Sequence, residues 1–167
     1  NLASRYGYIE GIDPVREVIK GARRLFPHLR LHHGTARTIL DSSEFNPYDL
    51  ILSSEVIEHV PISEKELFVN DLFDLLKPEG HVILTTPRGE AYNCWKKRTN
   101  FVDQPVEEWL TEDDLLHLFV EQGFQAIGNK RIYVDLPSMA YVSPSKKEQG
   151  DTDNFLALYQ VWMFHRV

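Results

Sequence analysis

The 167-residue sequence has one cysteine, Cys94. That excludes an internal disulfide framework and any thiolate zinc cluster, and makes a reducing, cytoplasmic setting the default. No apolar run approaches the ~20 residues that a membrane span needs. The opening stretch NLASRYGYIEGID lacks the basic-then-apolar pattern of a secretory leader. Positive charge is also scarce: 18 Lys and Arg stand against 25 Asp and Glu, for a formal net charge of −7. This balance argues against a partner nucleic acid held by phosphate neutralisation. CWKKR (94–98) and GARR (21–24) are local exceptions, read first as solvated surface. Internal repeats and interdomain linkers are missing too, so a single domain over 1–167 is expected.

What is present alternates. YIEGID (8–13) is a short strand signal ending in an acid, followed by Pro14 where a first helical residue is welcome. Val15, Val18, Ile19, Ala22 and Phe26 recur at helical spacing, and Pro27 closes that helix. LRLHHG (29–34) alternates as a strand does, and YDLILS (48–53) reads as a strand buried on both faces. Ser63 and Glu66 have capping-box spacing ahead of Phe68, Leu72, Leu75 and Leu76. KPEG (77–80) then ends a helix and HVILTTP (81–87) starts a strand. Thr111 opens another helix, which Gly123 stops. Two late strand-like runs, 124–136 and 155–167, flank a polar stretch, 143–154, read as a flexible loop. This order predicts an α/β fold: a mainly parallel sheet with helices on both faces, closed by a C-terminal antiparallel hairpin. Ligands of such sheets sit beyond the carboxyl ends of the strands. Two of those ends carry polar groups, Asp13 and the run Ser53-Ser54-Glu55.

A carboxylate such as Asp13 can accept from two vicinal ribose hydroxyls at once, and an Asp before Pro is also a common helix cap. Five segments lie in a telling order: YIEGIDP, GTAR, YDLILSSEVIEHV, LFDLLKPEGHVILTTP and EEWLTEDDLLHLFVEQGF. Together they resemble the class I S-adenosylmethionine-dependent methyltransferases, in the branch of the ubiquinone-biosynthesis O-methyltransferases. The resemblance implies S-adenosylmethionine as cofactor and a Rossmann-like sheet. Asp13 would bind the ribose and Pro14 would lie beside the adenine. Thr35 and Ala36 fall where the family usually has an Asp-Ala pair at the adenine, so Thr35 is a departure. Ser53 would lie near the methionine part. The family's first central strand and its glycine-rich loop should precede Asp13 and are not in this sequence, which is expected to omit an N-terminal portion.

Glu55, Glu58 and His59 are spaced i, i+3 and i+4, and on a helix they would share a side. Three roles are open to them: hydrogen bonding within the fold and lining the pocket, ligating a divalent metal, or, for His59, taking a hydroxyl proton as general base. The resemblance implies metal-assisted transfer to oxygen in two branches, the ubiquinone O-methyltransferases and the small-RNA 2′-O-methyltransferases. Both tend to carry a further His where this chain has Gln104. Residues 88–109 stand where the family builds its acceptor lid. Their aromatics, Tyr92, Trp95, Phe101 and Trp109, suit a planar or lipidic acceptor, while Lys96, Lys97 and Arg98 would tolerate an anionic one. The expected activity is O-methylation of a small molecule, with RNA ribose and a non-catalytic binding module as alternatives. Tyr92 and Lys96 also match the Y-x-x-x-K of short-chain dehydrogenases, but Glu79 stands at the distance of that family's serine.

Overall fold

Alternating strand and helix signals resolve into two units in the computed structural model of the protein, which describes residues 7–99, 104–142 and 155–167. The units span Asn1–Asn46 and Pro47–Val167. Phe101 and the polar stretch 143–154 lie outside the described residues. No helix among the described residues is long and apolar enough to cross a membrane.

In the first unit β1 (Glu10–Asp13) runs parallel to β2 (Arg30–His33), with α1 (Arg16–Leu25) between them and α2 (Ala36–Leu40) after β2. Register places Glu10 opposite Arg30, and its carboxylate meets Arg30 at 3.6 Å and the His32 ring at 2.9 Å. Pro14 does not open the helix. Asp13 Oδ1 instead accepts from the Val15 N–H at 2.7 Å, which closes a short turn and starts α1 at Arg16. Of the apolar stripe on α1 only Ile19 is buried, while Val15, Val18 and Phe26 stay exposed. Gly34 at φ +147° is required locally, since a Cβ there would stand 2.3 Å from Thr38 Oγ1.

The second unit is a five-stranded sheet of β3 (Tyr48–Ser54), β4 (Leu76–Pro87), β5 (Phe124–Asp135), β6 (Ala140–Val142) and β7 (Phe155–Arg166), ordered β3-β4-β7-β5-β6. β3 and β4 are parallel; β7 is antiparallel to β4 and β5, and β6 is antiparallel to β5. β3, β4 and β5 therefore share one direction, and the β5–β7 pair is the expected C-terminal hairpin. The parallel pairs sit where strands alternate with helices, because an antiparallel partner needs only a reversing loop whereas a parallel one needs a crossover. Lys77–Gly80 does not form a helix stop but bulges from β4, between the pairs Tyr48↔Leu76 and Leu50↔His81.

α3 (Lys65–Leu75) and α5 (Glu112–Glu121) cover one sheet face. Val69 and Leu72 from α3 meet Leu115 and Phe119 from α5 over Leu84, Trp162 and Phe164. Phe119 and Phe164 stack with centroids 4.1 Å apart. A smaller cluster of Ala91, Val134, Leu156 and Leu158 seats Trp95 of α4 (Tyr92–Arg98). β3 is an edge strand among the described residues, and it is not buried on both faces: Leu50 is 48% and Leu52 65% exposed. The Ser63–Glu66 capping box does not form either, because Ile62–Glu64 is a 3₁₀ turn that runs straight into α3.

The expected start of α5 does form. Thr111 Oγ1 accepts from the Asp114 N–H at 3.1 Å, and Glu112, Asp113 and Asp114 place negative charge in the first turn. Thr111→Ala is expected to lower stability by ~1 kcal/mol, read as a shift of the urea midpoint at unchanged m-value.

Candidate active site

The end of β3 sets the site. Glu55 leaves the strand at φ +53°, in the left-handed region that a residue with a Cβ seldom adopts, and its N–H donates to Thr85 O at 2.9 Å. Thr85 Oγ1 donates to Glu55 Oε1 at 2.9 Å and lies 2.8 Å from Ser54 Oγ. The kink leads into a 3₁₀ turn, Ile57–His59, rather than an α-helix. Glu55, Glu58 and His59 therefore do not share a helix face as their spacing suggests. Ile57, 1% exposed, roots the turn in the core.

Glu58 is 2% exposed, and its Oε2 accepts from Thr86 Oγ1 at 3.0 Å. Lys65 secures the turn from beneath: at 1% exposure its Nζ donates to Ile57 O at 2.5 Å and Val60 O at 2.7 Å. Burial lowers the Lys65 pKa, opposed by the Glu108 and Glu58 carboxylates. His59 Nδ1 lies 3.0 Å from Val106 O. A carbonyl can only accept, so Nδ1 carries a proton, and in the neutral tautomer the lone pair is on Nε2.

These groups converge on a cavity of about 210 Å³. Glu55, Glu58, His59 and Glu107 line it, with Trp95, Trp109 and Tyr159 as aromatic walls and Gln104, Pro87 and Leu158 completing it. Glu107 Oε1 accepts from the Trp109 indole N–H. Solvent reaches Glu55 as a residue, yet the packing around its carboxyl and the neighbouring Glu58 charge push it up to about 7. Burial raises Glu58 as well, tempered by hydrogen bonds from its own N–H and from Thr86. Tyr159 is raised first by burial and then by Glu55, so it stays a phenol.

Sequence reasoning singles out six of the ten lining positions, Glu55, Glu58, His59, Trp95, Gln104 and Trp109, but not Glu107 or Tyr159. Lys96, Lys97 and Arg98 share a helix with Trp95 but are not among the lining residues. Glu55, Glu58 and His59, the expected candidates for a metal, each have one atom engaged by the protein. Glu58 turns one oxygen to Thr86 and His59 Nδ1 is committed to Val106 O. No group of three His, Cys, Asp or Glu among the described residues has metal-holding geometry.

The expected cofactor residues fall in two places. Asp13, Pro14, Thr35 and Ala36 gather at the carboxyl ends of β1 and β2, where the Gly34 N–H donates to Asp13 O at 3.1 Å. Asp13 gives Oδ1 to the Val15 N–H. Pro14 O accepts from His33 Nε2 at 3.1 Å, Thr35 N–H donates to Thr38 Oγ1 at 3.1 Å, and Ala36 is buried. Ser53 belongs to the second unit, buried at 7% exposure beside Leu84. An acid with a second oxygen to offer, beside a small residue and a hydroxyl, suits the ribose and adenine of a nucleoside.

Residues 3–128 match the family model described as a methyltransferase domain. The chain belongs to the class I S-adenosylmethionine-dependent methyltransferase family. The match takes in segments of both units and leaves the dehydrogenase motif at Tyr92 without further support. Among curated relatives, the mitochondrial ubiquinone biosynthesis O-methyltransferase of Bos taurus is 32% identical over 90 residues, covering 46% of this chain and 22% of the relative. Its Mus musculus counterpart is 32% identical over 92 residues, covering 47% and 22%. The chain thus spans about a fifth of the length of the curated relatives it matches. Among solved structures, an S-adenosylmethionine-dependent methyltransferase from Methanosarcina mazei superposes with a TM-score of 0.72 at 15% identity, covering 99% of this chain and 85% of that one. The N-methyltransferase NodS from Bradyrhizobium japonicum, solved with S-adenosyl-L-homocysteine, gives 0.62 at 14% identity, covering 95% and 66%. At such identities the likeness is one of fold, and this methyltransferase chain shares the Rossmann-like α/β architecture.

Proposed function

We propose that the protein is a methyltransferase that uses S-adenosylmethionine and methylates an oxygen of a small molecule, with residues 1–167 forming parts of one catalytic domain. The observation that supports this reading is the His59 tautomer: Nδ1–H donates to Val106 O, which leaves Nε2 as the acceptor in a cavity lined by His59 itself. An unprotonated imidazole nitrogen can receive a hydroxyl proton while that oxygen gains a methyl group. The O-methyltransferase names of the curated relatives support oxygen as the nucleophile. The cavity size supports a small acceptor, since a cavity of about 150 Å³ already holds a benzene ring and this one is about 210 Å³.

S-adenosylmethionine, when bound, supplies an electrophilic methyl group. The chain's own residues do the rest. Asp13 accepts from the ribose hydroxyls with the oxygen that the Val15 N–H leaves over, while Thr35 and Ala36 border the adenine. In the second unit, Ser53 and the kink at Glu55 shape the carboxyl end of β3. Trp95 and Trp109 exclude water from the acceptor, and Glu55 fixes its orientation through a hydrogen bond. His59 Nε2 receives the proton. Most of the rate gain comes from this alignment.

The test is calorimetric titration of S-adenosylmethionine into the full-length protein and its Asp13→Ala variant. Asp13→Ala is expected to weaken binding by ~1–3 kcal/mol, the scale of a lost charged hydrogen bond. Equal affinity in both proteins would remove Asp13 from the cofactor site, and no binding by either would overturn the methyltransferase reading.

A further inference from the structure

The cavity has a sign as well as a size. Three carboxyl groups line it, Glu55, Glu58 and Glu107, and no Lys or Arg among the described residues does. Each is held in place by one oxygen: Glu55 by Thr85, Glu58 by Thr86 and Glu107 by the Trp109 indole. Glu55 and Glu107 each keep a second oxygen for which no hydrogen bond is seen among the described residues, while Glu58 also accepts from its own N–H. Glu58 and Glu107 both repel the charge on Glu55, a cost that a cation between them would offset.

The walls point the same way, independently of the acids. Trp95, Trp109 and Tyr159 are aromatic, and an aromatic face attracts a cation within about 6 Å of its centre. Tyr92 packs edge-on against Trp109 with centroids 5.2 Å apart, which steadies that wall. Aromatic walls with acids, and no Lys or Arg among the described lining residues, favour an ammonium over a carboxylate or a phosphate. This also runs against the anionic acceptor suggested by Lys96, Lys97 and Arg98, which lie on the same short helix but do not line the cavity.

We infer that the methyl acceptor carries a protonated amine beside its reacting hydroxyl, held between Glu55, Glu58 and Glu107 and the faces of Trp95, Trp109 and Tyr159. This rests on the O-methyltransferase reading of the same cavity and adds the charge of the substrate class. The amine is a handle for recognition, and the hydroxyl remains the nucleophile.

Three phenols that differ only at the end of a two-carbon side chain test it: tyramine, its alcohol analogue 4-(2-hydroxyethyl)phenol, and 4-hydroxyphenylacetate. Each is titrated calorimetrically into the full-length protein, with and without saturating S-adenosylhomocysteine, and into Glu107→Gln. Glu107 is only half-buried, so this variant tests the charge without emptying the core. Tyramine is expected to bind at least tenfold tighter than the alcohol, the carboxylate weakest, and Glu107→Gln to narrow the amine preference at least threefold. Equal binding of the three, or a preference for the carboxylate, would overturn the inference. So would a Glu107→Gln effect confined to S-adenosylmethionine and absent from S-adenosylhomocysteine, since the acids would then serve the donor's sulfonium. S-adenosylhomocysteine binding is scored separately: if it binds and no amine preference appears, only the inference fails. If it does not bind while tyramine is still preferred, the methyltransferase reading fails and the cation site stands.

Discussion

His59→Ala is expected to lower the methyl-transfer rate by ~10²–10⁴-fold, the usual contribution of a positioned general base, with S-adenosylmethionine affinity changed little. The expectation follows from the hydrogen bond at Nδ1. Because Val106 O fixes the proton there, the ring presents one basic nitrogen in a set direction, and removing the ring removes both the acceptor and its anchor. His59→Gln separates the two roles, since its amide can restore a bond to Val106 O while supplying no base. The account predicts that the Gln variant folds normally and stays as slow as the Ala variant. Steady-state rates beside cofactor titrations of both variants check this. A Gln variant with wild-type rate would leave His59 as a positioning residue only.

Glu112→Ala is expected to cost about 3–5 kcal/mol of stability, the usual penalty for stranding a buried charge. Arg88, 5% exposed, places its Nε 2.9 Å from Glu112 Oε1 and donates from Nη1 to Ala157 O at 2.8 Å. Arg131 grips the same carboxylate in a fork, at 2.8 and 2.7 Å. Glu112 thus ties the residue after β4 to α5 and β5, and its loss takes the 2.9 Å carboxylate from a buried Arg88, whose contact with Glu90 is longer, at 3.7 Å. The fork from Arg131, aided by Arg88, holds the Glu112 carboxyl below its ordinary range. A carboxyl depressed on folding contributes stability that is present above its unfolded pKa and is lost as pH falls through the folded one. The gap between wild type and variant should therefore be widest near neutral pH and shrink in acid, which urea unfolding at a series of pH values would show. Equal gaps throughout would mean that Glu112 acts through packing rather than charge.

Much of this fold is legible because its signals are local. Thr111 and Gly123 bound α5 as their chemistry dictates, and the apolar runs at 48–54 and 81–87 are strands with polar groups at their carboxyl ends. Local signals also mislead where distant contacts outvote them. Pro14 is a good first helical residue, but the Asp13 carboxylate captures the Val15 N–H and delays the helix. Ser63 and Glu66 have capping spacing, but Lys65 between them is drawn into the core by two carbonyls of the preceding turn. Buried lysines are rare, so Lys65 reads from sequence as a solvated helix position.

The cavity was legible in pieces. Glu55, Glu58 and His59 announce themselves by type and spacing, although a left-handed residue and a 3₁₀ turn, rather than a helix, bring them together. Tyr159 reads as one more apolar strand residue; only the pairing Pro87↔Tyr159 across β4 and β7 carries it to the site. Glu107 lies in an extended segment with no periodicity to single it out, and its role follows from the Trp109 indole that holds it.

The most direct measurement incubates the full-length protein with S-adenosylmethionine carrying a trideuterated methyl group and a panel of small phenols and alcohols, some bearing an amine, followed by mass-spectrometric fragmentation of the products. The account predicts a trideuteromethyl ether, formed at a rate that falls ~10²–10⁴-fold in His59→Ala. Label on nitrogen or carbon, or no transfer by a protein that binds S-adenosylmethionine, would contradict it.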